Sequence, residues 1–378
     1  MSHGGNFLMK LHRVLSLCST ALLLLAASTF SPTTIAQQQN AEPVQKFTVS
    51  KSDVQAAQQR ILASSFHALP ANLPGAKEKV DQLNAIGARG AQLLKLDPAL
   101  AAEALPALTQ TPTPNQVHFY PDDLVYNGGP VSSKATFHNI YTNTPSAGIA
   151  SAWGNPSGFE TDLVESNFIH LTDQYTGNFG STQHYSVDHT GYQLTTSGFT
   201  VYTDYDAQLF VDILVNLITH EGGTNHIYHL FLPPGQDICF DGSYSSCYSP
   251  DNLNTWSFCA YHGAFNDATY GTILYTVEPF QDVPGCAVQT PSPNGQLADS
   301  TNSVLSHETF ETITDPVGGS GWTNQTSLDL WGYEIGDECQ PLVNSSSDFL
   351  VPSFYINGKP YEVQLEYSNR YHACAMQQ

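Results

Sequence analysis

Apolar and polar residues alternate with a period of two at 135–141 (ATFHNIY), after the turn sequence Gly128-Gly129-Pro130, and this predicts a strand. Shorter runs predict strands at 199–203, 226–232, 256–262, 271–277 and 361–367. Helical spacing appears at 158–170, where Phe159, Leu163, Phe168 and Ile169 are packing residues. It appears again in a strongly apolar run at 207–221, stopped by Gly222-Gly223. A further helix of about three turns follows Thr301, Asn302 or Ser303 as cap, and Asp315-Pro316 stops it because the residue before a proline avoids the helical region. Helices interleaved with strands place the chain in the α+β or α/β classes, and the expectation is an α+β fold with a mixed sheet behind the last helix. No internal repeat is visible. The polar stretches at 174–198 and 240–256 carry enough aromatic residues to read as ordered surface loops.

The N-terminal third reads differently. Lys10, His12 and Arg13 precede an apolar run at 14–27, followed by small and polar residues ending in Thr34-Ile35-Ala36, so 1–36 reads as a secretory signal peptide. The run is short for a membrane span, and Leu17 stands before Cys18 where a lipid-anchor site needs a small residue. Residues 37–115 are rich in Ala, Gln and Leu, and suggest helices at 52–69 and 78–96. We read them as a helical pro-segment or N-terminal extension, separated by the prolines at 111–114 from a secreted body at 116–378.

Charge changes the picture of partners. From residue 116 onward there are 28 acidic residues against three basic ones, and no lysine or arginine lies between Lys134 and Lys359. Such a body repels nucleic acid and anionic lipid. It suits cationic substrates or an acidic habitat, and equally serves the solubility of an exported protein. Beyond the signal there are six cysteines, an even number that favours three disulfides in an exported chain. Proximity pairs Cys239 with Cys247, Cys259 with Cys286 and Cys339 with Cys374. No CxxC pair supports a zinc–thiolate site.

The candidate chemistry is concentrated in SHETFETITDP at 306–316 and EIGDEC at 334–339. His307 and Glu311 stand one turn apart on one helix face, the spacing at which two side chains hold one ion, and Glu308 stands beside them as a general base. The motif reads HExxE, the logic of a zincin-like zinc hydrolase helix with a carboxylate as second ligand. Glu334 is the preferred third ligand, and Asp337 either orients His307 or binds in its place. His262, in CAYHGAF, or the adjacent Tyr261 would stabilise an oxyanion if its strand borders the motif helix, although packing is the simpler role. His220, Glu221, His226 and His229 read as structural, since His226 and His229 face opposite sides of a strand. No GxSxG elbow is present, and no EF-hand loop, although 237–251 is rich in oxygen ligands.

These two blocks, with LVYNGGPV at 124–131, YHLFLPPGQDIC at 228–239 and FCAYHGAF at 258–265, resemble the secreted phosphate-induced, or exordium-like, family and its bacterial relatives. The resemblance spans most of 124–374 and implies a secreted, zinc-peptidase-like protein. The expected function is therefore a secreted metal-dependent hydrolase that cleaves peptides with metal-activated water, with zinc or another divalent ion as cofactor. The competing expectations are a non-catalytic extracellular or wall-associated binding protein and a carboxylate-pair glycosidase.

Overall fold

Eight strands build one mixed sheet, and its order shows why residues distant in sequence share a site. They are β1 (Val44–Val49), β2 (Ile61–Pro70), β3 (Lys134–Thr142), β4 (His184–Val187), β5 (Gly191–Thr196), β6 (Gly223–Phe231), β7 (Phe258–Asp267) and β8 (Gly271–Glu278). Across the sheet the order is β1-β5-β3-β6-β8-β7-β2, with β4 beside β3. All neighbours run parallel except β7, which is antiparallel to both β8 and β2. The structure is a computed structural model describing residues 42–91, 123–175, 184–196, 200–324, 333–340 and 349–377. The expected signal peptide and the proline-rich boundary at 111–114 lie outside these residues, as does part of the strand expected at 199–203.

Helices cover both faces. One face of the sheet carries Phe137, Ile227 and Leu274, and packs against α4 (Pro156–Val164) and α6 (Gln296–Thr314), with α3 (Ile149–Trp153) beside them. The other carries Ile140, Tyr228 and Tyr275, and packs against α5 (Asp204–Leu214), which in turn meets α1 (Lys51–Arg60). With α2 (Ala76–Ala91) packed on β2, the fold is mixed α+β around a large mixed sheet.

The described part of the N-terminal segment is helical only in part. Its expected helix at 52–69 divides into α1 and β2 with no turn between them. Ser50 starts α1 through a capping box with Asp53. The Arg60 guanidinium at its end is held by Asp212 of α5 at 3.0 Å and lies 3.6 Å from Asp267 of β7. From Ile61 onward the backbone pairs with β7, so tertiary hydrogen bonding overrides local helix propensity. Asn84 of α2 seals the outer edge of β2 by accepting from the Ala68 amide and donating to its carbonyl.

Other boundaries shift for identifiable reasons. The helix expected at 158–170 stops at Val164, where Ser166 turns the chain, and a separate 3₁₀ helix covers Ile169–Tyr175. The helix expected at 207–221 starts earlier, at a Thr203–Asp206 capping box, and widens into a π turn at Val215–Thr219. The motif helix α6 begins at Gln296 rather than near Ser303. Thr301, read as a possible cap, and its neighbour Ser300 instead bond the carbonyls of Leu297 and Gln296 one turn back, so their hydroxyls are satisfied inside the helix. It ends at Thr314 with Asp315 as cap, as Asp315-Pro316 requires.

Cys239–Cys247, Cys259–Cys286 and Cys339–Cys374 are all bonded. The last joins the 337–339 turn to the hairpin formed by Glu366–Ser368 and Ala373–Ala375, and the Tyr367 amide donates to Ile335 at 3.0 Å. Among the described residues no helix is long and apolar enough to cross a membrane.

Several carboxyls outside the candidate site are buried, and they set a pH response. Burial pushes Glu42 up from 4.5 to about 7, Asp204 up from 3.8 to about 6, and Asp212 up from 3.8 to about 7. In each case the native chain keeps a proton that the unfolded chain has already released. Their contribution to stability is full below the unfolded values of 3.8–4.5 and is lost as pH rises through about 6 to 7. The thermal midpoint is therefore expected to climb as pH is lowered from about 8 to about 5, a range set by these shifts. Calorimetry showing a flat or falling midpoint over that range would contradict the assignment.

Candidate metal centre

Strand register assembles a polar row that no single segment reveals. Asn139 of β3 pairs with His229 of β6, His229 with Thr276 of β8, Thr276 with His262 of β7, and His262 with His67 of β2. Paired residues point to the same side of a sheet, so all five side chains lie on the face that α4 and α6 cover. That helix lowers His307, Glu308 and Glu311 onto the row, and all three are fully buried. A solvated face is thereby ruled out. The loop after α6 adds Glu334 and Asp337 from the other side.

The contacts converge on Glu311. Its Oε1 lies 3.0 Å from His307 Nε2 and accepts from the Asp337 amide at 3.2 Å, while its Oε2 lies 3.7 Å from His262 Nε2. His262 Nε2 meets Glu334 Oε2 at 3.0 Å. His67 Nε2 lies 2.8 Å from Asp337 Oδ2, and its Nδ1 lies 3.2 Å from Glu334 Oε1 without making a hydrogen bond. Two triads of metal-type ligands result, His67–Glu311–Asp337 and His262–Glu311–Glu334, with Glu311 in both.

The loop geometry is specific. Asp315, the helix cap, accepts from the backbone amides of Gly319, Ser320 and Gly321 and so folds the chain back after α6. Asp337 accepts from the Tyr333 amide at 3.1 Å and thereby fixes its own turn. Gly336 of EIGD lies against the His307 ring, so that a Cβ there would collide with Nδ1 and Cε1. The Gly336 carbonyl accepts from Gln364.

Protonation follows from burial and neighbours. Burial alone would discharge His67 and His307. The carboxylates of Asp337 and Glu311 around His67, and of Glu311 and Asp337 around His307, outweigh it and raise both pKa values. His262 goes the other way, well below its usual value, through burial and then the two other histidines. Burial, reinforced by Glu311, Glu278, Asp337 and Glu366, pushes Glu308 well above the carboxylate range. Glu334 rises through burial and the carboxyls of Asp315 and Glu311.

The donor set fits a cation better than it fits protein alone. His307 Nδ1 and Nε2, Glu308 Oε1 and Oε2, Glu311 Oε2, Glu334 Oε1 and Asp337 Oδ1 are buried with no hydrogen-bond partner among the described residues. Buried polar groups are nearly always paired, and so many orphans in one spot call for an ion or ordered water. Imidazole nitrogens with carboxylate oxygens are a zinc-type donor set.

Each residue expected from sequence lies in this cluster: Glu308, His262, His307, Glu311, Glu334 and Asp337. His262 turns its Nε2 toward Glu334 at 3.0 Å and Glu311 at 3.7 Å, among atoms that could hold a metal ion. Asp337 orients His67 at 2.8 Å and lies 3.8 Å from His307. His67 was not expected. The only hint of it in sequence is a histidine in an apolar stretch that local pattern reads as helix.

Beyond the triads the row continues as a buried polar chain. His229 Nδ1 meets the Thr276 hydroxyl at 2.8 Å, which donates to Glu278 at 2.8 Å, and Asn139 donates to Glu160 at 2.8 Å. Burial, and secondarily His138, lowers the His229 pKa to about 3, so this imidazole is neutral.

Compared with known proteins, the chain matches no family model, no curated protein and no solved structure.

Proposed function

We propose that this chain is a metal-dependent hydrolase with a zincin-like HExxE helix, acting on peptides. The observation that carries the reading is the set of inward-facing, unpaired ligand atoms around Glu311, with Glu308 on the same helix. Glu311 is assigned first because both triads contain it. His262, His307 and Glu334 are the remaining ligands, and the His67–Asp337 pair braces the carboxylate from the far side. Zinc bound there supplies a Lewis acid that polarises a substrate carbonyl and acidifies water. Glu308 takes the proton of the attacking water; because burial and neighbouring carboxyls raise its pKa, the charge of a bound cation would be what keeps it ionised for that role. The acidic body draws in cationic peptides. The expected export and the exordium-like kinship belong to the same proposal, and the three disulfides support an oxidising compartment.

A second reading has its own support. Every ligand is buried among the described residues, which suits a structural ion in a non-catalytic extracellular binding protein of the exordium-like kind. Zinc-loaded protein incubated with a mixed peptide library separates the two. Cleavage that a chelator abolishes and added zinc restores supports the hydrolase. A folded, zinc-loaded chain that cleaves nothing overturns it and leaves the structural ion.

A further inference from the structure

On the opposite face of the sheet, a second group of ligand atoms converges at the protein surface. Thr136 of β3 pairs with His226 of β6 and His138 with Tyr228, so His138 and His226 are diagonal neighbours. Glu221, just before β6, leans over both. His138 Nε2 lies 3.1 Å from His226 Nδ1 and 3.5 Å from Glu221 Oε2, and His226 Nδ1 lies 3.3 Å from the same oxygen. Zinc held at about 2.0–2.2 Å from nitrogen and oxygen donors places neighbouring donors of a tetrahedron about 3.3–3.5 Å apart. The separations of 3.3 and 3.5 Å match edges of one triangular face of such a site, and that of 3.1 Å between the two imidazoles is slightly shorter.

Hydrogen bonding favours the same conclusion. His138 Nδ1 meets Asp188 Oδ2 at 3.1 Å. Asp188 is itself held in place by the Tyr192 hydroxyl, which donates to Oδ2 at 2.6 Å, and by the Thr190 amide, which donates to Oδ1 at 3.0 Å. With Nδ1 directed at the Asp188 carboxylate, His138 turns Nε2 toward His226 and Glu221. This is the carboxylate–histidine arrangement that fixes a metal ligand's tautomer.

The backbone holds Glu221 in place. The π turn after α5 ends at His220 in the left-handed region (φ 57°), and a Cβ on Gly222 would come within 2.6 Å of the Tyr270 carbonyl oxygen. The Tyr228 hydroxyl donates to the Glu221 carbonyl at 2.7 Å, while its ring stacks on His138 at 4.7 Å. Burial is graded: the side chains of His138, His226 and Glu221 are 2%, 19% and 47% exposed.

We infer that His138, His226 and Glu221 form a metal site of their own for a zinc-type divalent ion, with Asp188 orienting His138 and a fourth position open to solvent. It lies on the other side of the sheet from the buried centre and does not depend on the function proposed for that centre.

The test is a cobalt(II) titration of the full chain, read by the visible d–d absorption of tetrahedral cobalt. Wild type is compared with Glu221→Gln, His226→Ala and Asp188→Asn, each checked for folding by circular dichroism. Wild type is expected to take up one more ion than Glu221→Gln or His226→Ala. Asp188→Asn is expected to keep the ion with about 10–100-fold weaker affinity. The reading is a difference between variants, so it stands whether or not the buried centre binds an ion. Glu221 is half-exposed, and its isosteric change keeps the fold. Equal uptake and equal spectra in wild type and both ligand variants would overturn the site and leave a proton shared between two imidazoles.

Discussion

Glu308→Gln is expected to lower hydrolysis by about 10²–10⁴-fold, the usual worth of a general base, while metal stays bound and the fold is no less stable. The first effect follows from chemistry, because an amide does not accept the proton of attacking water. The second follows from the surroundings. Both Glu308 oxygens are buried without a partner, among Glu311, Glu278, Asp337 and Glu366. Glutamine keeps the side-chain volume and cannot ionise, so the change adds no repulsion to these crowded carboxyls. Activity should therefore fall while the thermal midpoint holds, which a merely structural Glu308 would not produce. Turnover unchanged from wild type would remove Glu308 from the mechanism.

Stripping the ion from the buried centre is expected to destabilise the chain sharply. An ion present at a thousand times its Kd contributes roughly 4 kcal/mol to stability, which for a chain of this size is a midpoint shift on the order of 10 °C. The carboxyls of Glu311, Glu334 and Asp337 would otherwise face one another in a fully buried site. Elemental analysis is expected to find zinc in wild type and to lose that share in Glu311→Ala and His262→Ala. Scanning calorimetry should then show the same low midpoint for chelated wild type and for these variants. A midpoint indifferent to chelation would mean that protons alone satisfy the cluster.

The chemistry written within one helix turn was legible in sequence, and the chemistry assembled by strand pairing was not. His307, Glu308 and Glu311 are neighbours by helical geometry, and Glu334 and Asp337 lie in a short acidic loop after them. The same locality made the three disulfides readable, since each pairs cysteines adjacent in sequence order. His67 was hidden because α1 runs straight into β2, and because β2, covered on both faces, lacks a clean alternation. His138 fell inside a strand read at 135–141, but its partnership with His226 is a matter of register between β3 and β6, which one sequence does not display. The opposite facing of His226 and His229 was anticipated, yet each belongs to a separate cluster. The early start of α6 was missed because its serines and threonines bond backward within the helix.

The pairing of β2 with β7 also imposes an order of events on synthesis. His67 and Asp337 meet across 270 residues of chain, a gap that takes roughly 15–55 s to translate at about 5–20 residues per second. Until β7 exists, β2 has no strand to pair with, and its apolar residues must wait in an unfinished chain. The first histidine of the centre to leave the ribosome thus settles among the last, and a nascent chain of this protein needs protection of that N-terminal strand for most of its synthesis.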